Sequence, residues 1–243
     1  NKSPTSEKDF NPFLRKEEHL FVADISDTHL CLLNKYNVVD YHLLIITRAF
    51  EDQENLLTLQ DFEAMWACLA EFDSLVFYNA GKEAGASQRH KHLQLVPLPL
   101  VPQGRSIPIE PLITSARFQD AMGTIPGFPF VHAIAKLDGC FRESPLETTL
   151  ERYHALLQAV GLRDGEGGGN RQSQPYNLLA TREWMLVIPR SQESFESISV
   201  NSLGFAGALL VRNEQQMKIL KEQGIMTILH HVAKNSNFLK CVS

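Results

Sequence analysis

The spacing of the apolar runs constrains this chain most. Residues 19–25 (HLFVADI), 29–34 (HLCLLN) and 41–48 (YHLLIITR) are each long enough for a strand, and a few turn residues, Ser26, Asp27 and Asp40 among them, separate them. Connections this short favour antiparallel neighbours. Thr58 with Asp61 three positions later is a capping-box-like helix start, and Phe62, Met65, Trp66, Leu69 and Phe72 then recur at helical spacing. Two further strands are expected at residues 75–79 and 90–96, on either side of the loop AGKEAGASQR. The proline-dotted stretch 97–111 ends a first lobe.

The second half repeats this material with less order. Ser144, Pro145 and Glu147 read as a helix start, and Leu146, Leu150, Tyr153 and Leu157 fall on one face before Gly161. The glycine-rich stretch 163–174 reads as a loop or link, residues 176–182 and 184–190 as strands, and residues 213–224 as a helix. HLLIITR (residues 42–48) and WMLVIPR (residues 184–190) align without gaps, which fits either an internal duplication or the chance likeness of two apolar strands.

Composition removes whole classes. Of 243 residues, 44% are hydrophobic and 21% charged, which excludes collagen-like and natively unfolded chains. A net charge of -5 argues against an extended nucleic-acid or anionic-membrane surface, so an anionic ligand would need local positive contacts. No apolar run approaches the roughly 20 residues of a bilayer span, and a signal-peptide pattern is lacking. Cys31, Cys68, Cys140 and Cys241 form no C-x-x-C pair, so neither a zinc ribbon nor a thioredoxin motif fits, and a reduced, cytoplasmic chain is the simplest account.

The sharpest chemical feature is the string His90-Lys91-His92-Leu93-Gln94. On a strand, His90, His92 and Gln94 would share one face and Lys91, Leu93 and Leu95 the other. Three readings stand: an exposed strand face, a partial metal site with two imidazoles, or a nucleophilic imidazole with a neutral amide beside it. The preceding Asn79-Ala80-Gly81-Lys82-Glu83-Ala84-Gly85-Ala86-Ser87 is either a plain hairpin loop or a cradle whose backbone amides turn toward an anion. A phosphate cradle feeding a strand that carries an imidazole is what nucleotidyl transfer needs.

These segments carry a resemblance. FYNAGKEAGASQRHKHLQLVPLPL (residues 77–100), preceded by LLNKYNVVDYHLLIITR (residues 32–48) and followed by YNLLATREWMLVIPRS (residues 176–191) and ISVNSLGFAGALLV (residues 198–211), closely resembles the diadenosine tetraphosphate phosphorylases, or ATP adenylyltransferases. These are the transferase branch of the histidine-triad superfamily. The likeness implies an α+β fold, a histidine-triad-like antiparallel sheet with flanking helices, two-lobed. It divides the chain into an N-terminal arm (1–18), a catalytic lobe (19–111) and a second lobe (112–243) that reads as a degenerate repeat. It implies that His92 attacks the α-phosphorus of the dinucleotide, expels ATP and holds AMP as a phosphoramidate until phosphate releases ADP. His90 would fix the tautomer of His92 through its carbonyl or ring, and Gln94 would hydrogen-bond the phosphate. Asn79, Gly85, Ala86, Ser87 and Gln88 match the phosphate-binding stretch, and Asn34 and Lys35 the nucleotide contacts. Asn177 and Met185 are the corresponding choices in the second half, and Lys2 or Lys8 in the arm.

The implied partners are small nucleotides, namely diadenosine tetraphosphate, ATP, ADP, AMP and phosphate, with no nucleic acid and no membrane; oligomeric state has no sequence signal. No metal site or tightly bound cofactor is expected, beyond Mg2+ accompanying the polyphosphate. A hydrolase of the same superfamily, a hexose-1-phosphate uridylyltransferase and a non-catalytic nucleotide-binding protein are the rivals. His42 reads as a satisfied strand histidine, and Trp66 and Trp184 as core.

Overall fold

Strand alternation decides what each residue of this molecule meets. The computed structural model describes residues 18–36, 39–101, 106–137, 145–162 and 169–235, so Lys2, Lys8, Cys140 and Cys241 lie outside the described residues. Strands β1 (Phe21–Asp24), β2 (His29–Leu33), β3 (Leu43–Thr47), β4 (Ser74–Ala80) and β5 (His92–Pro97) come from the first half. Strands β6 (Arg117–Gln119), β7 (Met122–Thr124), β8 (Ala133–Lys136), β9 (Tyr176–Ala180) and β10 (Trp184–Pro189) come from the second. They form one sheet in the order β1-β2-β3-β5-β4-β9-β10-β8-β7-β6, with antiparallel pairing along it.

The two halves run through the same sequence of elements. Three strands, a helix and a hairpin occur as β1-β2-β3-α1-β4-β5 and again as β6-β7-β8-α3-β9-β10, where α1 is Leu59–Glu71 and α3 is Pro145–Ala159. The halves meet at β4 and β9, from Val76 opposite Ala180 to Ala80 opposite Tyr176. The likeness of HLLIITR to WMLVIPR does not follow this symmetry, since it matches β3 to β10, whereas β10 occupies the place of β5. Two apolar strands look alike because both are buried on both faces. In register with its hairpin, Trp184 takes the place of His92 and Leu186 that of Gln94.

One face is covered by α1 and α3. Leu93 and Leu95 of β5, Val76 and Tyr78 of β4, and Leu178 and Val187 beyond them pack there with Phe62, Met65 and Leu69. Thr58 caps α1 in a reciprocal box with Asp61, as the sequence predicts. The Trp66 indole donates to Thr149 of α3 at 2.9 Å, which ties the two helices together. On the other face, Phe77, Leu179, Leu186 and Ile188 pack against residues 107–130, α4 (Ser202–Phe205) and α6 (Ile225–Val232). A ribbon of β11 (Ser194–Phe195) and β12 (Ile198–Ser199), the apolar run 207–211 and α5 (Glu214–Gln223) extend that layer.

The sequence reading misses β6, β7 and β8. The first two are three residues long and carry Arg117, Gln119 and Gly123, so they lack the alternating pattern of a half-buried strand. A further difference lies at β5, which begins at His92 and not at His90. Residues 90 and 91 instead bond to the segment around Glu51, with the Lys91 amide donating to the Glu51 carbonyl at 2.8 Å.

Lys91 turns away from the face of His92, and its fully buried ammonium donates to Asp61 at 2.6 Å, the Leu56 carbonyl at 2.9 Å and Glu51 at 3.2 Å. His29 meets the other Asp61 oxygen at 3.1 Å. Burial would raise the Asp61 carboxyl, but the bond to His29 and the nearby Lys91 charge outweigh it and hold it below its ordinary value. Lys91→Met should lower the unfolding free energy by about 3–5 kcal/mol, because it strands a buried carboxylate. The Asp61 contribution is complete above the unfolded carboxylate pKa of about 3.9 and is lost as pH falls through the lower folded value. Urea unfolding across pH should therefore show an acid loss in the wild type that the variant lacks or reverses, because a buried carboxylate without Lys91 takes up its proton more readily in the folded state.

Candidate functional site

The paired register of β4 and β5 runs from Ser74 opposite Pro97 to Phe77 opposite Gln94. Beyond it, the side chain of Gln53 bridges the two strands. Its Nε2 donates to the Asn79 carbonyl at 3.0 Å and the His92 carbonyl at 3.2 Å, and its Oε1 accepts the His92 amide at 2.8 Å. Gln53 is itself held by its backbone, its amide donating to Arg89 O at 2.7 Å and its carbonyl accepting the Tyr78 hydroxyl. A side chain thus supplies the missing rungs of the ladder at His92. Sequence reading passes over Gln53 because no local pattern marks a glutamine that acts 39 residues away.

His92 is 4% exposed, and its Nδ1 donates to the His90 carbonyl at 2.7 Å. A carbonyl only accepts, so the proton sits on Nδ1 and the lone pair on Nε2. Burial pushes this imidazole from 6.5 down to about 4 against the opposing pull of that hydrogen bond. The ring is neutral near pH 7. The ring of His90 does not stand beside it, which corrects the shared-face expectation. Because the strand starts at His92, the His90 Nε2 turns back to the Thr47 carbonyl at 2.7 Å, and the ring lies against Phe50. His90 meets the His92 ring through its carbonyl.

Two residues on, Gln94 faces an open cleft of about 480 Å³. Its Oε1 accepts from His42 Nε2 at 2.9 Å, and the His42 Nδ1 then accepts from Asn34 Nδ2 at 3.2 Å. The polarity of this chain leaves the Gln94 amide nitrogen as a donor toward the cleft. Asn34 Oδ1 also closes a turn by accepting the Tyr36 amide at 3.0 Å. His42 is a satisfied histidine, as expected, yet it lines the cleft and fixes Gln94. Burial lowers its pKa despite the bond to Gln94, so it is neutral as well.

The loop after β4 forms the next wall, with Asn79, Gly85, Ala86 and Ser87 lining the cleft. Its amides are less available than the cradle expectation required. Ala84 and Ala86 donate to Gly81 O and Gly85 to Lys82 O, closing a tight turn. Among the described residues, the Ser87 and Gln88 amides have no protein acceptor. Gly85 has φ +90°, and a Cβ there would sit 2.9 Å from Asn201 Cβ, so glycine lets this loop touch the opposite wall. That wall is built by Glu193, Ser199, Asn201 and residues 209–212.

The remaining expected residues lie elsewhere. Lys35 is exposed next to Asn34, and Gln88 is half-buried at the end of the loop. Asn177 is fully buried behind Asn79 and donates to its Oδ1 at 2.9 Å, so it supports the wall and does not form it. Met185 is fully buried in the helix-side core with Val187, because alternation along β10 points it away from the cleft. Of the cations near the loop, Arg89 is committed to Asp52 at 2.8 Å and Lys91 to Asp61, and Lys82 is exposed. Arg212, which the sequence reading does not single out, is a cation of the cleft lining. Among the described residues no group of three or more His, Cys, Asp or Glu could hold a metal ion. No described helix is long and apolar enough to cross a membrane. Titration of the imidazole signals by NMR should find His92 midway near pH 4, and a midpoint near 6.5 would contradict the buried, Nδ1-tied ring.

Comparison with known proteins gives two ordered matches. Residues 1–115 match the model of the Ap4A phosphorylase N-terminal domain, and residues 126–235 that of the ATP adenylyltransferase C-terminal domain. The chain is 27% identical over 247 residues to diadenosine 5',5'''-P1,P4-tetraphosphate phosphorylase 2 of Saccharomyces cerevisiae, covering 91% of this chain and 74% of that protein. It is also 27% identical to Protein APA1 of the same yeast over 237 residues, 88% of this chain and 72% of that one. The crystal structure of yeast Ap4A phosphorylase Apa2 superposes with a TM-score of 0.75 at 24% identity, covering 93% of this chain and 80% of that chain. Structures of the same yeast enzyme in complex with Ap4A and with AMP match with a TM-score of 0.72. With both halves matched in order and the fold shared with the yeast enzyme, this chain belongs to the Ap4A phosphorylase (ATP adenylyltransferase) family.

Proposed function

We propose that this protein cleaves diadenosine tetraphosphate with inorganic phosphate to give ATP and ADP, and runs the reverse adenylyl transfer, through AMP held on His92. The observation that carries the reading is the buried, neutral His92 ring, with Nδ1 committed to the His90 carbonyl, two residues from a cleft-facing amide. Yeast relatives named as phosphorylases of this dinucleotide support the substrate class.

In the first step the Nε2 lone pair of His92 attacks the α-phosphorus. A P–N bond forms, the bridging P–O bond breaks, and ATP leaves as an anion that needs no proton. The ring gains positive charge as the bond forms, and the His90 carbonyl on Nδ1–H stabilises it. Gln94 Nε2, the Asn79 amide and the Ser87 and Gln88 amides donate to non-bridging oxygens, and Gly85 and Ala86 give the backbone its close approach. Asn34, Lys35 and Arg212 hold the rest of the nucleotide. In the second step a phosphate oxygen attacks the same phosphorus, the P–N bond breaks, and ADP forms as His92 returns to its neutral state. Gln94 cannot act as an acid, so no residue at that position protonates a leaving group on behalf of water. Magnesium that accompanies the polyphosphate belongs to the substrate, and no step is routed through it.

Residues 19–111 are the catalytic half in this reading and residues 112–243 a degenerate copy that completes the cleft, in a cytoplasmic protein. Incubation with the dinucleotide should give ADP only when phosphate is present, and AMP with ATP in its absence would identify a hydrolase instead. His92→Ala should lower turnover by about 10,000-fold or more while the nucleotide still binds. Mass spectrometry of the wild type should find an acid-labile AMP on His92, and an active His92→Ala protein would overturn the mechanism.

A further inference from the structure

Behind the cleft lies a buried polar group that the proposed chemistry does not use. Arg190 is 1% exposed at the end of β10, and its guanidinium donates to Val200 O at 2.8 Å, Gln192 O at 2.8 Å, Glu193 O at 3.1 Å and Val232 O at 3.1 Å. Its remaining strong bond goes to Asn177 Oδ1 at 2.5 Å. A guanidinium has no acceptor, so Asn177 must face it with oxygen. Asn177 Nδ2 is then the donor, to Ala84 O at 2.8 Å, Ser202 Oγ at 2.9 Å and Asn79 Oδ1 at 2.9 Å. Two bonds to groups of fixed polarity check the assignment. Ala84 O can only accept from Asn177, and the Ser202 backbone amide, at 3.0 Å, can only donate to Asn79 Oδ1. Asn79 Oδ1 is occupied from behind, also by the Ser202 hydroxyl at 2.7 Å, while Asn79 itself lines the cleft.

We propose that Arg190, Asn177 and Ser202 form a buried relay that sets the polarity of the Asn79 amide and presents its Nδ2 donor to the cleft, so that the site selects a phosphate over a neutral group. They are positioning residues, acting through Asn79. The relay explains how an arginine at the far edge of β10 serves a site built on β4 and β5.

The inference rests on the reading of the cleft as a nucleotide site, and the test separates the two. Binding of AMP and of adenosine is measured by calorimetry on the wild type, Asn177→Asp, Ser202→Ala and Asn79→Leu. A carboxylate at position 177 still accepts from Arg190 but opposes Asn79 Oδ1, turning the amide so that oxygen faces the cleft. Asn177→Asp should weaken AMP about 10- to 100-fold and adenosine little, as expected for loss of a hydrogen bond to a charged group. Ser202→Ala, the gentler change, should move AMP alone in the same direction. In the Asn79→Leu background, Asn177→Asp should add no further loss of AMP. Equal losses of AMP and adenosine, or an unchanged preference for AMP in both single variants, would overturn the relay while leaving the function intact. A wild type that binds no AMP would overturn the nucleotide reading and the relay with it.

Discussion

The pairing of β4 with β9 is the interaction on which the rest of this structure depends. It joins two five-stranded halves into one sheet, with Asn79 directly opposite Asn177. The same β4 pairs on its other edge with β5, which carries His92 and Gln94. One strand therefore fixes the distance between the imidazole, the loop after β4 and the wall built from residues 193–212. Every β4 residue is buried, so a slip of one position would exchange Phe77 and Asn79 with Tyr78 and Ala80 across the sheet. Register here is specified by burial on both faces.

The two halves differ at equivalent places of the repeat. Both halves supply the same hairpin, but Trp184 and Leu186 stand where His92 and Gln94 do, and both pack into the core beneath residues 107–130. The first half leaves that face open over His42 and Gln94, and the chain after β10 folds across it as the far wall of the cleft. One hairpin packs into the core on this face and the other presents polar groups. Gln53 shows the cost of that choice. Where β4 and β5 part to leave room for the site, their backbone groups still need partners, and a buried amide from the preceding segment supplies them.

Much of the fold is legible in the sequence, because β2, β3, β4, β9 and β10 are long apolar runs and α1 has both periodicity and a capping box. The short edge strands β6 and β7 are illegible, since three residues with half of their surface exposed carry no period. For the candidate site, the H-x-H-x-Q string locates Gln94 on the cleft with the buried His92 two residues before it, and the loop motif locates Asn79, Gly85, Ala86 and Ser87 on the cleft. The direction of the His90 ring is lost because it depends on where β5 begins, a matter settled by Glu51 and Lys91. His42, Gln53 and Arg190 act through partners 52, 39 and 13 residues distant, and such pairing leaves no local signature. Met185 is misplaced for the opposite reason, since the resemblance names the strand but only register decides the face.

The chemistry follows from dielectric and hydrogen-bond direction. An imidazole in water near neutral pH is partly protonated, and burial removes that fraction while the His90 carbonyl leaves the lone pair on Nε2. A neutral glutamine beside it, held by His42, offers a donor and no proton. The central claim is that AMP passes through His92, so that phosphorus undergoes two in-line displacements. The stereochemistry of phosphorolysis tests this directly, using a dinucleotide with a chiral α-phosphorothioate. Two inversions predict overall retention of configuration in the ADP analogue, and a single inversion would contradict the covalent intermediate.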